Sequence, residues 1–268
     1  MSTFHTTVVP APIYTLSQLR IAAYNALESA AITASSTATG YDPYNVVDGR
    51  PGTYWKPSAG ALQHSLTFVL PKAAWVGFFG LYSTDLAQQR AAVTFQYSTN
   101  GTSWTTLCTV SPGGTAPVHI SFDKVFATWF RVLVDCPNTT PSIGVISAGE
   151  EVQPERGVCV GFTPPTLGGQ PLVLTNNSMA GSWLGRAIRS RIPYEGEIQL
   201  DYINPERART VFAPLFARLS TKPFFLKWHG YAYPYETAYC WTDKTDSVAS
   251  YQKPNFMKTS IKFSGLVA

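Results

Sequence analysis

The residues best suited to acid–base or nucleophilic chemistry are spread along the chain and do not cluster. The four histidines stand at positions 5, 64, 119 and 229, and none has the spacing of a zinc protease. In the Gly-Ser-Trp-Leu-Gly run at 181–185, the serine comes one position too early for a nucleophile elbow. Glu195, Glu197 and Asp201 alternate as on a solvated strand face, which we prefer to a glycosidase pair. We therefore expect no enzymatic activity.

The stretch from Ser35 to Pro57 offers the clearest candidate for metal binding. Asp48 and the Thr53 hydroxyl lie in one short loop, and calcium takes about six to eight oxygen ligands from such loops. A single Asp in a turn more often bonds its own backbone, so both interpretations stay open. Trp55, directly after this turn, is predicted to plug one end of a sandwich core rather than to form a ligand platform.

A second group of residues has the chemistry to contact a sugar. Tyr41 and Tyr44 precede the Asp48 turn, where exposed aromatic rings stack on a sugar or pack against another subunit. His64 and Arg90 lie in other variable segments and add polar groups. We expect these four residues at one rim of the sandwich, with ordinary rim tyrosines as the alternative.

The densest aromatic stretch is KWHGYAYPYE, around His229. Trp228, Tyr231, Tyr233 and Tyr235 are expected to form an aromatic surface, because the three tyrosines alternate as residues on one face of a strand do. Such a face is either domain core or a subunit interface. Pro234 indicates an edge or irregular strand, which favours the interface.

The composition favours a mainly β protein. Charged residues make up only 13% of the chain, whereas 36 aromatics, 20 glycines and 20 prolines favour strands and turns. The formal net charge is +4 without a basic stripe, so no nucleic-acid binding is expected. No basic and apolar leader and no long apolar run is visible, so neither a signal peptide nor membrane insertion is predicted. The four widely spaced cysteines are expected to be reduced thiols.

The pattern of elements divides the chain. Residues 1–29 are expected to form an N-terminal arm, 30–153 a β-sandwich, 154–171 a Pro/Gly-rich linker, and 172–268 a small α+β domain. Within the sandwich, alternation around Asn100-Gly101 predicts a hairpin. In the last part, Asn204 and Pro205 have the residue types of a helix start, and one helix is expected there.

Three motifs in order resemble a known domain family. The small-residue run with Val47-Asp48-Gly49 and Thr53-x-Trp55, the hairpin VTFQYSTNGTSWTTL, and WFRVLVD resemble a discoidin, or coagulation factor 5/8 type C, domain over about residues 30–152. The resemblance implies a jelly-roll sandwich of the galactose-binding-like fold, often used to bind carbohydrate or lipid headgroups. It also implies a structural calcium held by Asp48, Thr53 and Glu150 or Glu151. The family's polar sugar-binding cluster has no match in this sequence.

The chain as a whole resembles minor tail or baseplate virion proteins of tailed phages. The resemblance rests on IGVISAGEEVQPERGVCVGFTPPTL, SWLGRAIRSR, KPFFLKWHGYAYPYETAYCW and MKTSIKFSGLVA. It implies a structural subunit made in the host cytoplasm, with other tail or baseplate subunits and a host-surface glycan as partners. A free lectin-like protein and an enzyme on a sandwich scaffold are the alternatives.

Overall fold

The computed structural model describes residues 5–8, 19–136, 140–158, 161–168, 172–189, 194–230, 232–242 and 249–267. Its strands are β1 (His5–Val8), β2 (Arg20–Ala22), β3 (Ala31–Ala34), β4 (Gln63–Thr84), β5 (Ala92–Ser98), β6 (Thr105–Ser111), β7 (Val118–Asp135), β8 (Ile143–Gly149), β9 (Leu172–Asn177), β10 (Trp183–Arg189), β11 (Tyr194–Ile203), β12 (Phe224–Lys227), β13 (Ala238–Trp241), β14 (Ser250–Lys253) and β15 (Phe256–Leu266). Its α-helices are α1 (Pro165–Gly168), α2 (Pro205–Arg207) and α3 (Ala213–Leu219). The chain is mainly β, as its composition predicts.

The first half is an antiparallel sandwich. The strand order is β1-β6-β5-β7-β4-β3, and β8 pairs with β4. β4 and β7 are long, and their pairing shifts register between Val69 and Ala74, where both strands bend. The sandwich therefore has two layers. The first part of β4 lies with β3 in one layer, which we call the front layer, and the second part of β4 lies with β8 in the other, which we call the back layer. β4 therefore runs through Pro71 as one strand that contributes to both layers.

Aromatic side chains fill the space between these layers. Phe79 of the back layer stacks on Phe95 of the front layer, with ring centroids 4.4 Å apart. Phe130 lies 5.7 Å from Phe95 on the same front layer, and all three rings are fully buried. Trp55 is also fully buried, as predicted, and its indole nitrogen donates to the Ser36 carbonyl at 3.2 Å.

The predicted hairpin is confirmed by the pairing of β5 with β6, although its turn differs from the expected one. Gly101 has a φ of +74°, whereas Asn100 is not in the left-handed region. Instead, the Asn100 carboxamide oxygen accepts hydrogen bonds from the Thr102 and Ser103 amides at 3.0 and 2.9 Å. The side chain thus closes a longer turn than the two-residue type.

The second half contains a six-stranded sheet in the order β11-β15-β13-β12-β2, with β14 paired to β15. The predicted helix is confirmed over residues 205–219 as α2, a π-helical turn Ala208–Phe212, and α3. It begins where expected, because the Asn204 side chain accepts a hydrogen bond from the Glu206 amide at 2.8 Å. Phe212, Leu215 and Leu219 pack this helix against the sheet core.

Part of the segment expected to be an arm is folded. β2 pairs with β12, and the Ile21 backbone exchanges two hydrogen bonds with Val152, at 2.9 and 2.8 Å. Ile21 is fully buried, which explains why these residues join the second sheet. β1 pairs with the edge of β6. The domain boundaries themselves stay a prediction.

The second sheet packs on the back layer of the sandwich. Phe78, Tyr82 and Val145 of the sandwich form one buried cluster with residues of the second sheet that include Phe225 and Tyr239. The contact is close at Gly80, where a Cβ atom would lie 2.8 Å from the Phe225 ring. The front layer faces away from this joint.

Three further features complete the description of the fold. β9 and β10 form a separate two-stranded sheet. Cys108, Cys136 and Cys240 are free and buried. In the described part of the chain, no helix is long and apolar enough to cross a bilayer.

Candidate functional site

Several loops meet at the end of the sandwich where β3 finishes and β4 begins. The Trp55 and Ile143 backbones exchange hydrogen bonds of 2.9 and 3.0 Å, which joins the long loop after β3 to the start of β8. The Ser142 amide donates to Asp85 Oδ1 at 2.7 Å, which joins the loop after β4 to the same place. These loops form a surface that we call the loop end.

Short polar side chains fix the shape of the long loop. Asp42 caps the 3₁₀ turn Pro43–Val47 by accepting a hydrogen bond from the Tyr44 amide at 2.8 Å. Asp48 Oδ1 accepts from the Arg50 amide at 2.7 Å, and Thr53 Oγ1 donates to Asp48 Oδ2 at 2.6 Å. These turn-forming bonds account for the run of Asp, Gly and Pro in this stretch.

The central feature of the loop end is a stacked pair of tyrosines. The rings of Tyr41 and Tyr54 lie 5.1 Å apart at an interplanar angle of 27°. Tyr54 is 37% exposed, and the Asn45 side chain donates to its carbonyl oxygen at 3.1 Å. A hydrogen bond with Tyr41 raises the pKa of the Tyr54 hydroxyl, with a smaller contribution from the negative charge of Asp85. The pair therefore combines an apolar ring surface with hydroxyls and a neighbouring carboxylate.

Tyr44, also predicted for this rim, faces a different part of the surface. Its hydroxyl accepts a hydrogen bond from the Ile32 amide at 3.3 Å, so the side chain lies along the edge strand β3. Its ring is 49% exposed. The structure thus pairs Tyr41 with Tyr54 rather than with Tyr44.

The other two residues predicted for the rim, His64 and Arg90, differ in their exposure to solvent. His64 is only 1% exposed and lies on the core side of β4, so its predicted place on the exposed rim is corrected. It falls in phase with the buried Leu66 and Phe68, which explains the burial, and burial lowers the pKa of the imidazole. Arg90 is exposed in the turn after β4, with a left-handed φ of +53°.

The residues expected to bind calcium do not come together as a set. Asp48 and Thr53 are hydrogen-bonded to each other. Glu150, however, directly follows Gly149 at one end of β8, whereas Ile143 at the other end of β8 lies beside the loop end. Seven strand residues at about 3.3 Å each separate the two ends by roughly 20 Å. Glu150 pairs instead with Lys124 at 2.7 Å. Among the described residues, no group of three or more His, Cys, Asp or Glu is placed to hold a metal ion. A structural calcium stays a prediction, with one carboxylate to support it.

Glu151, the alternative to Glu150, belongs to a buried polar cluster in the joint between the sandwich and the second sheet. Glu151 pairs with Arg20 of β2, accepts from Ser121 Oγ at 3.0 Å, and lies 3.1 Å from His119 Nε2. Lys227 of β12 donates to the His119 carbonyl at 2.7 Å. This set (Arg20, His119, Ser121, Glu151 and Lys227) is called the joint cluster below.

Burial lowers the pKa values of two residues of the joint cluster, Lys227 and His119. Burial is the main reason that the pKa of Lys227 falls to about 7, and the positive charge of Arg20 adds to the shift. Burial likewise holds the pKa of His119 well below its usual value, with help from the charges of Lys227 and Arg20. His119 is therefore neutral at physiological pH, and Lys227 is close to its titration midpoint.

The predicted aromatic surface is only partly present. β12 ends at Lys227, and the described residues from Trp228 to Thr237, which exclude Tyr231, lie outside any strand. Trp228 is 3% exposed and donates to Glu236 Oε2 at 2.7 Å, so it belongs to the core of the second half and its predicted interface role is corrected. Tyr233 and Tyr235 are 56% and 49% exposed. Tyr231 lies outside the described residues, and the interface itself stays a prediction.

Sequence reasoning missed two residues of the loop end, Tyr54 and Asp85. Tyr54 precedes the buried Trp55, so strand-like alternation would have pointed its side chain outward. Asp85 directly follows the end of β4, and nothing in the sequence links it to a loop some thirty residues earlier.

Comparison with known proteins identifies the first half of the chain. Residues 31–147 match the model of the F5/8 type C domain, so the sandwich is a discoidin-like domain. No curated protein sequence gives a significant match to the chain.

Several solved structures are similar to part of the chain. Chitosan-binding module 1 of a Paenibacillus sp. IK-5 chitosanase/glucanase is 23% identical, with a TM-score of 0.42, over 47% of this chain and 99% of that module. A pectin-binding carbohydrate-binding module is 21% identical, with a TM-score of 0.39, over 45% of this chain and 89% of that module. A GH29 fucosidase of Ruminococcus gnavus is 19% identical, with a TM-score of 0.42, over 48% of this chain and only 27% of the fucosidase.

Proposed function

We propose that this protein is a non-catalytic structural subunit of a phage tail tip or baseplate whose discoidin-like domain contacts a host-surface glycan. The observation that carries the glycan part is the stacked pair of Tyr41 and Tyr54 at the loop end of an F5/8 type C domain. Aromatic rings stack on the apolar face of a sugar, and nearby polar groups set its orientation. Asp85 and the two tyrosine hydroxyls are such groups.

The structural part of the proposal rests on a different observation. The second half packs against the back layer of the sandwich through a buried joint, and the Tyr239 hydroxyl also donates to the Gly49 carbonyl of the long loop at 2.7 Å. Such a unit holds the loop end in a fixed orientation relative to a particle. The tail-tip or baseplate location is supported by the sequence resemblance alone. Single sites of this kind bind weakly, and repeated copies in a particle would give avidity.

The glycan part is tested with a glycan array probed by the full chain, followed by calorimetry with the best glycan. Tyr54→Ala removes one ring of the pair and is expected to weaken binding about tenfold, since stacking contributes on the order of 1 kcal/mol or more. Tyr235→Ala removes a comparably exposed tyrosine from the second half and is the matched control. Equal affinity of the Tyr54→Ala variant and the wild type would reject the loop end as the site.

The structural part is tested separately by mass spectrometry of purified phage particles. We expect to find the chain among the virion proteins in a fixed copy number. Its absence from particles, together with glycan binding by the free chain, would favour the lectin-like alternative.

A further inference from the structure

The second half of the chain contacts the long loop of the sandwich at the Gly49 turn. The Tyr239 hydroxyl of β13 donates to the Gly49 carbonyl at 2.7 Å. Gly49 has a φ of +77°, and a Cβ atom added there would lie 2.9 Å from Cγ of Pro223, which directly precedes β12. The second half therefore both bonds to this turn and packs closely against it.

The position of the Tyr239 hydroxyl depends on how the two halves pack. Tyr239 is only 2% exposed, and its ring lies 4.9 Å from that of Tyr82 in the back layer and 5.0 Å from that of Phe225 in β12. Burial raises the pKa of Tyr239, and the negative charge of Asp48 adds to the shift. The hydroxyl is therefore a fixed, protonated donor at neutral pH.

A short series of contacts connects Gly49 to the stacked tyrosine pair. Asp48, next to Gly49, accepts a hydrogen bond from the Thr53 hydroxyl at 2.6 Å, which closes the turn. Thr53 directly precedes Tyr54, whose carbonyl oxygen accepts from the Asn45 side chain at 3.1 Å. A displacement of Gly49 is thus passed across the turn to the backbone that carries one ring of the pair.

The sandwich holds the same turn at a different point. Ser83 Oγ of β4 donates to the Pro51 carbonyl at 2.6 Å. The Gly49 side of the turn is bonded instead to Tyr239 of the second half. The two sides of one turn are therefore attached to different halves of the molecule, and its shape depends on both.

We propose that Tyr239 is a positioning residue for the glycan site, so that the second half sets the conformation of the turn before Tyr54 and the closed joint raises glycan affinity. Because coupling between two binding events is reciprocal, a glycan bound at the loop end also stabilises the joint. This inference rests on the proposed glycan site. It adds that the F5/8 type C domain presents the site in its binding conformation only with the second half packed against it.

The test begins with Tyr239→Phe in the full chain, which removes the hydroxyl and keeps the ring in the joint. Calorimetry with the best glycan from the array should show affinity about three- to tenfold weaker, the factor expected when one hydrogen bond that holds the binding conformation is lost. Tyr194→Phe is the matched control, because it removes another tyrosine hydroxyl of the second half, which donates to the Thr163 carbonyl at 2.9 Å. The control should bind the glycan as the wild type does.

Hydrogen–deuterium exchange without glycan separates this inference from the proposed function. In Tyr239→Phe, the amides from Asp48 to Tyr54 should exchange about three- to tenfold faster than in the wild type, while those of β12 and β13 keep their rates. A hydroxyl that served only the stability of the joint would instead speed exchange in β12 and β13. Unchanged exchange in the turn would overturn the inference, whether or not a glycan binds. Faster exchange in a chain that binds no glycan would reject the proposed glycan site and leave the positioning of the turn standing.

A double-mutant cycle tests whether the two bonds act in series. Thr53→Val removes the hydroxyl that joins Thr53 to Asp48, and by itself it should also weaken glycan binding. Combined with Tyr239→Phe, the loss of affinity should be smaller than the product of the two single losses, because both changes release the same turn. Two losses that multiply would show that the bonds act independently, which contradicts the proposed route from Tyr239 to Tyr54.

Discussion

Replacement of Lys227 by methionine should remove a specific pH dependence from the free energy of unfolding. Lys227 is 7% exposed in the joint, where its ammonium group donates to the His119 carbonyl at 2.7 Å. Its pKa is lowered from 10.5 to about 7, mainly by burial and further by Arg20. In the unfolded chain the same amine titrates at its ordinary value, so between these two pKa values the unfolded state binds more protons than the folded state.

The sign and size of the effect follow from this difference. Stability rises with pH wherever the unfolded state binds more protons, by about 1.4 kcal/mol per pH unit for one full proton. Because Lys227 is half-protonated near pH 7 in the folded state, the integrated gain from pH 7 to pH 9 is about 2 kcal/mol. Methionine has a similar length and carries no proton, so Lys227→Met should lack this gain.

The assay is urea denaturation of the wild type and the variant at pH 7 and pH 9. The quantity to compare is the change in the free energy of unfolding from pH 7 to pH 9 in the wild type and in the variant. Burial raises the pKa values of the Cys108 and Cys240 thiols, so these thiols lower the stability of both proteins as the pH rises. The comparison between the two proteins removes this shared effect. Lys258→Met, at an exposed lysine of β15, is the control and should follow the wild type. If the free energies of unfolding of the wild type and of Lys227→Met change by the same amount from pH 7 to pH 9, the Lys227 amine does not titrate as a buried group.

Three further predictions concern packing. Trp55→Ala should lower the free energy of unfolding by about 3–5 kcal/mol in chemical denaturation, since it empties a fully buried site and leaves the Ser36 carbonyl without its donor; a loss under 1 kcal/mol would contradict the core role. Gly80→Ala should cost about 1–3 kcal/mol because its new methyl would meet the Phe225 ring, whereas Gly52→Ala, with open space around it, should cost little. Glu151→Gln should destabilise by about 3–5 kcal/mol because Arg20 and Ser121 keep their places in the joint without the carboxylate; a neutral outcome would show that the cluster does not hold the joint.

The sequence predicted the sandwich because its signals are local. Alternation in β5, the Asn100-Gly101 turn and the Trp55 position each depend on residues close in the chain. The helix after Asn204 was predictable for the same reason, since its cap and first-turn proline are adjacent. Of these features, Trp55 is the one that helps to place the loop end, through its backbone hydrogen bonds with Ile143.

The errors have two sources, a local alternation that was overlooked at His64 and long-range packing at Trp228 and Glu150. His64 was expected at the surface, but its phase along β4 places it with Leu66 in the core. The aromatic alternation after Lys227 suggested a strand, yet the described residues there form turns and Trp228 is buried in the core of the second half. Glu150 seemed available for a metal, whereas the direction of β8 carries it to the end opposite Asp48. The outcomes at Trp228 and Glu150 cannot be obtained from neighbouring residues, because each depends on which elements pack alongside.

Hydrogen–deuterium exchange of the full chain, with and without the best glycan from the array, tests the central claim most directly. We predict added protection in the loop containing Tyr41 and Tyr54 and in the turn after β4 that begins at Asp85. Peptides from the β9–β10 hairpin and β11 should be unchanged by the glycan. Protection confined to the second half, or absent at the loop end despite measured binding, would contradict it.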